Sequence, residues 1–362
     1  MPGTTRLDAA ALLSGPRGRR LCLELAQAQD DDVRLAIFYA AYDLDPGAGT
    51  SRVMFGQGVA DRPRLVPGDV VRRLQGATFT VPDERQLLRA LESAVGNARY
   101  WQEPDGEDVL AATPEVAAAL GPVAEALLAA PSAAWWSTAA PATTQREVVW
   151  YDDGRLGPPG TTAAGRPDAL AAWRSETHAG ERTAARERPA DPRASWSGEW
   201  WSVPPHELLR TTRDLGAVGP VGLWLVEDDS GWERGSVRAV AVADDARVLE
   251  VDGPGDWADL CRRHPLEVTA SRRHDWYRAT GRDGTWVLPD WSAVAREADA
   301  VHLTTRGYLT TAGLPVPVSD GVASVLADWD PDATFWFAGA AADPGTARDW
   351  RLDDDTDSWR AA

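Results

Sequence analysis

The chain has 362 residues, is 44% hydrophobic and carries a formal net charge of −18. That is long for one domain, sufficient for a sizeable core, and adverse to nonspecific binding of DNA, RNA or anionic membranes, because the phosphate contribution is repulsive. All 37 basic residues are arginines, so no Schiff-base, pyridoxal-phosphate or P-loop lysine is available.

Ile37 and Asn97 are the sole isoleucine and asparagine, and with the missing lysine they mark a high-GC genome. No apolar run approaches the roughly 18 residues of a membrane span. The first twenty residues lack a basic region followed by a long apolar stretch, so no secretory signal and a cytoplasmic location are expected.

Residues 1–138 read as a mainly helical domain. "RRLCLELAQA" and "DDVRLAIFYAAYDL" are the first helices, and "LDPGAGTSRVMFGQG" reads as a turn with a short strand. "PDERQLLRALESAVGNARYW" begins with acids and places Leu87, Leu88, Leu91 and Val95 on one face. "TPEVAAALGPVAEALLAAP" offers Thr113 as N-cap and Pro114 at the first helical position, with Val116, Leu120, Val123 and Leu127 in one stripe. Residues 139–195 read as a connection, with a strand at "QREVVWYDD" and a charged helix at "PDALAAWRSETHAGERTAARERP".

From residue 196 to 340 the pattern changes to short strands with tight turns. "VGLWLVED", "SVRAVAVAD", "ARVLEVDG", "GTWVLPDW", "DAVHLTTRGYL", "LPVPVSDGVASVLADW" and "DATFWFAG" are the expected strands. "GPGDWADLCRR" and "PDWSAVAREA" are the expected helices. Few helices among many strands predict α+β with a mostly antiparallel sheet. The acidic tail, 341–362, reads as a solvated end. Cys22 and Cys261 lie in helix-like contexts and are expected as buried free thiols.

No GxGxxG follows a strand, and HExxH, CxxC, GxSxG and EF-hand patterns are missing. The five histidines show no metal-ligand spacing. Polar groups gather instead at strand ends. "PPHELLRTTRDL" carries His206, Arg210 and Arg213. Alternation in "DAVHLTTRGYL" puts His302, Thr304 and Arg306 on one face, solvated or lining a cleft. "ADWDPDATFWF" sets Asp330 and Asp332 around Pro331, the pattern of a type I turn.

A split-sheet domain with an early Arg-bearing strand, a polar middle strand and a late acidic strand end resembles the ADP-ribosyltransferase fold over residues 200–338. The resemblance implies an NAD cofactor, Arg213 on its phosphate or ribose, Thr304 or Tyr308 as the central-strand residue, and Asp332 at the oxocarbenium-like transition state. The family's late Glu is replaced here by the shorter Asp. His302 joins Thr304 and Asp332 in the expected catalytic set, with no metal.

"TASRRHDWYRATGR", residues 269–282, is the other candidate. Residues 262–282 hold six arginines in a strongly acidic chain. Read as a loop, the segment either neutralises neighbouring acids or binds an anion. In the second case Arg272 and Arg273 hold a phosphate of a nucleotide while Trp276 or Tyr277 stacks on its base. Tryptophan supplies the alternative to an NAD or nucleotide cleft. Eleven of 18 tryptophans lie between residues 190 and 340, which suits either core packing or a non-catalytic, Trp-rich acidic surface that binds a protein partner.

Overall fold

The computed structural model describes residues 7–54, 62–353 and 355–362. It opens with helices α1 (Ala9–Ser14), α2 (Pro16–Gln29), α3 (Asp31–Leu44), α4 (Pro67–Gly76), α5 (Glu84–Gly96), α6 (Gly106–Ala112), α7 (Pro114–Ala119) and α8 (Gly121–Leu128). The expected turn at 44–58 is present as turns up to residue 54, and its remainder lies outside the described residues. In α5, Asp83 and Gln86 form a reciprocal capping box, and Leu87, Leu88, Leu91 and Val95 are buried as the spacing predicts. The stripe Val116, Leu120, Val123 and Leu127 is also buried, but on two helices rather than one. Pro122 lacks the N–H that would continue α7 through Leu120. Thr113 occupies the N-cap position, yet its hydroxyl donates to the Leu110 carbonyl of the preceding helix at 2.8 Å.

The remainder alternates strands and helices: β1 (Gln145–Asp152), β2 (Arg155–Leu156), α9 (Arg166–Glu187), β3 (Leu209–Arg213), β4 (Arg234–Ala239), β5 (Val248–Val251), α10 (Pro254–Arg263), β6 (Pro265–Glu267), α11 (Thr269–Thr280), β7 (Thr285–Pro289), α12 (Trp291–Val294), β8 (Ala300–Leu303), α13 (Thr305–Thr311), β9 (Val316–Ser319), β10 (Val322–Ser324), β11 (Thr334–Trp336), β12 (Ala347–Asp353) and β13 (Ser358–Ala361). The main sheet runs β13-β12-β4-β1-β3-β11-β8-β5, with β2 paired to β1, and the smaller sheet runs β6-β7-β10-β9. Among the described strand pairs, β5 with β8 and β7 with β10 are parallel and the rest antiparallel. The fold is α+β, mostly antiparallel.

Four local readings are corrected. Residues 269–280 form a helix, closed by Gly281 at φ 71°. The strand through His302 ends at Leu303, because the Thr304 hydroxyl accepts from the Gly307 amide at 2.9 Å and starts α13. "VGLWLVED" is not a strand but a buried 3₁₀ turn at Val221–Leu223, entered through Gly219 and Pro220. The acidic tail is not frayed: β12 and β13 form a hairpin on β4. It is anchored by Trp359, which is buried with its ring 5.5 Å from that of Trp150.

One contiguous hydrophobic cluster extends from Leu7 to Trp359, so helical and strand portions share a core. Close backbone approach makes this possible at Gly15, where a Cβ would lie 2.2 Å from the Leu309 carbonyl oxygen of α13. The tryptophans are mainly core. Trp329 contacts Trp257, Trp291 and Phe335 with ring centroids at 6.3, 5.7 and 5.7 Å. Among large exposed hydrophobics the tryptophans are Trp101 and Trp196. Cys22 and Cys261 are buried free thiols, and burial pushes the Cys261 thiol up to about 12. No described helix is long and apolar enough to cross a membrane.

Trp329→Ala is expected to cost about 3–5 kcal/mol, as for large-to-small changes in a well-packed core. Trp101→Ala is expected to cost less than about 1 kcal/mol. Urea denaturation of both variants checks the contrast.

Candidate functional site

Several predicted site residues do converge, in the middle of the main sheet. Pro331 places Asp332 at the third position of a turn closed by the Ala333 amide on the Asp330 carbonyl at 3.2 Å. Asp332 takes φ 62°, the left-handed third residue of a type II rather than a type I turn. Its Oδ2 accepts from the Arg213 backbone amide at 2.8 Å, and its Oδ1 accepts from Arg213 Nε at 2.5 Å. The adjacent strand β8 brings His302 Nε2 to Asp332 Oδ1 at 3.3 Å, and His302 Nδ1 hydrogen-bonds Glu250 of β5. Arg213 also donates to Thr138 Oγ1 at 2.7 Å and lies 4.9 Å over the Trp135 ring.

Arg213, His302 and Asp332 are all buried. Burial alone would lower the His302 pKa, but its hydrogen bonds to Asp332 and Glu250 raise it to about 9. At neutral pH the group is therefore two cations between two carboxylates. Every polar atom of the imidazole is engaged within the protein. An NAD-handling role for Arg213 or Asp332 would require them to exchange each other for the ligand.

The remaining predicted residues lie apart from this network. Arg272 and Trp276, four apart on α11, face inward. Arg272 pairs with Glu199 and donates to the Trp201 carbonyl at 3.3 Å, while Trp276 Nε1 donates to the Trp200 carbonyl at 2.7 Å. Arg273 and Tyr277, on the adjoining face, meet the Ala190 carbonyl at 3.1 Å and the Arg193 guanidinium at 5.2 Å. Asp275 accepts from Ser197 Oγ at 3.1 Å and the Gly198 amide at 3.0 Å, so it is no partner for His274, whose buried ring nitrogens lack hydrogen bonds. The α11 arginines thus bind the 190–201 segment, and Arg272 and Arg273 do not join Arg213. Thr304 donates to Asp252 Oδ1 at 2.7 Å while capping α13. Tyr308 is buried beside Tyr100 and Glu227.

That last group leads to a cavity beside Tyr100. A pocket of about 440 Å³ opens where α2, the 99–113 segment, the end of α11 and residues 313–315 meet. Its apolar wall includes Pro16, Val109, Leu314 and Pro315; its polar wall includes Arg17, Arg19, Tyr100 and Asp108. Gly313, at φ 77°, lets the turn lie against Tyr100, where a Cβ would be 2.5 Å from the ring.

The Arg17 guanidinium pairs with Asp108 and donates to the Ala94 carbonyl at 3.0 Å. Burial works against its charge, but Asp108 holds its pKa above the ordinary value. Arg19 differs. It donates to the Leu13 and Ser14 carbonyls at 2.9 Å each, and it forms no ion pair among the described residues. Burial lowers its pKa despite nearby Asp108. Nε of Arg17 and Nε of Arg19 are buried without hydrogen-bond partners, and the Tyr100 hydroxyl lies beside that of Tyr308. Behind Tyr100, burial and then Asp328 push Glu227 well above the usual carboxylate range.

Periodicity treats α2 as an ordinary helix and does not single out these arginines. The available signal was Arg17 itself, four residues before the fully buried Leu21 and eight before Leu25, a cation on an apolar stripe. Tyr100 and Leu314 are too distant in sequence to be associated with it. Among the described residues no group of three or more His, Cys, Asp or Glu side chains is arranged to hold a metal ion. In comparisons with family models, curated proteins and solved structures, nothing matches the chain.

Because the folded His302 pKa is raised, its contribution to stability is full below the ordinary value of about 6.5 and is lost as pH rises through about 9. His302→Gln is expected to cost about 3–5 kcal/mol at pH near 6, as for a broken buried pair. It should also flatten the decline in stability across that window. Urea titrations at a series of pH values measure both effects.

Proposed function

We propose that this protein binds a small organic acid in the cavity between the helical layer and the strand portion. The observation that carries this reading is Arg19: a partly buried guanidinium on a cavity with both polar and apolar walls, with no carboxylate partner among the described residues. A buried cation without a counter-charge is costly, and an anionic ligand supplies one. The forked guanidinium suits a carboxylate. Pro16, Val109, Leu314 and Pro315 suit an apolar body. The volume lies within the range of small-molecule sites, which favour junctions between structural units.

The same chemistry fixes the kind of occupant. One uncompensated cation matches one negative charge, because Arg17 is already paired with Asp108. Tyr100 adds a neutral hydroxyl, and burial keeps its proton on. The favoured ligand is therefore a monoanionic aliphatic or aromatic carboxylate rather than a polyanion.

Octanoate and 1-naphthoate at saturating concentration are expected to raise the melting temperature of the full chain by about 2–5 °C. Arg19→Gln should abolish the shift by removing the cation, and Ala112→Phe should abolish it by filling the mouth. Both variants should melt within about 2 °C of the parent without ligand, because neither residue is core. No shift with either acid, or a shift surviving both substitutions, contradicts the assignment.

A further inference from the structure

A second concavity, of about 860 Å³, lies elsewhere, along α9. Arg174, His178 and Arg182 line it from α9. Their spacing of four residues places them on one stripe with about 6 Å of rise between successive side chains. Arg296, just beyond α12, lines it as well, and Leu170 and Phe337 contribute apolar surface.

Arg174 is already matched: its Nε donates to Asp290 Oδ2 at 2.7 Å. Among the described residues the side chains of Arg182 and Arg296 meet no carboxylate and no hydrogen-bond acceptor, although most arginines of this acidic chain do. The acids beside them in sequence are engaged elsewhere. Glu181 accepts from the Ala270 and Ser271 amides of α11 at 2.6 and 2.8 Å. Glu297 faces Arg263 at 2.6 Å and His264 at 3.2 Å.

We infer that this groove binds the phosphate group of a small phosphorylated molecule such as a nucleoside monophosphate. Two unpaired guanidiniums offer forked donors and a charge of +2 against a phosphate monoester of about −1.5 to −2. His178 lies between the two α9 arginines and adds a further ring nitrogen. The surface at Leu170 and Phe337 accommodates the non-ionic part. An acidic polypeptide is the less suitable occupant, because repulsion from a net charge of −18 increases with each added carboxylate. The groove shares no lining residue with the organic-acid cavity, so the two sites are separable.

Calorimetric titration of the full chain with AMP and with inorganic phosphate tests the inference. AMP is expected to bind more tightly than inorganic phosphate, and both more weakly as sodium chloride is raised. Arg182→Gln and Arg296→Gln should each weaken AMP binding by about tenfold, the loss of one charge-assisted contact. Both residues are exposed, so folding is preserved. Ala112→Phe, at the other cavity, should leave AMP affinity unchanged. The inference is overturned if AMP fails to bind at about 5 mM, if the double arginine variant binds it as the parent does, or if Ala112→Phe weakens it. Tighter binding of tetraglutamate than of AMP, lost in the double variant, would overturn it in favour of a peptide surface.

Discussion

The Asp332 carboxylate holds the centre of this molecule. It accepts from the Arg213 backbone amide, the Arg213 guanidinium and the His302 imidazole, and thereby joins a turn before β11 to β3 and β8. Glu250 on β5 completes the set through the second ring nitrogen of His302. Taking ions out of water costs several kcal/mol each unless they are paired and hydrogen-bonded. Here two carboxylates face two cations, and Thr138 and Trp135 cover the guanidinium. Such a group contributes little net stability compared with a well-packed apolar replacement. What it imposes is register: a slip of β3 or β8 by one residue would leave a buried charge unpaired.

That constraint distinguishes charged groups matched within the protein from those that are not. Residues of opposite charge at strand ends resemble catalytic machinery in one dimension. In three dimensions their donors and acceptors are satisfied by one another. Nε of Arg17 and Nε of Arg19, two of the buried polar atoms that lack internal partners, lie where the helices meet the strand portion. Close packing at Gly15 brings α2 onto α13, and the turn at Gly313 fits against Tyr100. The cavity is what remains between these contacts.

Much of the fold was legible. Helix periodicity and caps are local, so α5 and the Val116–Leu127 stripe follow from spacing alone. The departures also have local causes. In 269–280, arginine content obscured the pair Arg272 and Trp276, whose four-residue spacing and the following Gly281 mark a helix. In 299–309, polar alternation was carried past Thr304, although Gly307 three residues later suits an N-cap. In the tail, abundant Asp concealed Trp350 and Trp359, which hold the last hairpin against the sheet. The cavity itself was not legible, because its charge sits on α2 and its apolar wall comes partly from residues 314 and 315.

Hydrogen–deuterium exchange of the full chain with and without octanoate tests most directly the division between scaffold and site. The account predicts slower exchange at residues 16–20, 99–113 and 313–315 in the presence of the acid, with 300–304 and 330–334 unchanged. Protection centred on 300–304 and 330–334, with the junction unaffected, would place the ligand at the His302–Asp332–Arg213 network and contradict it.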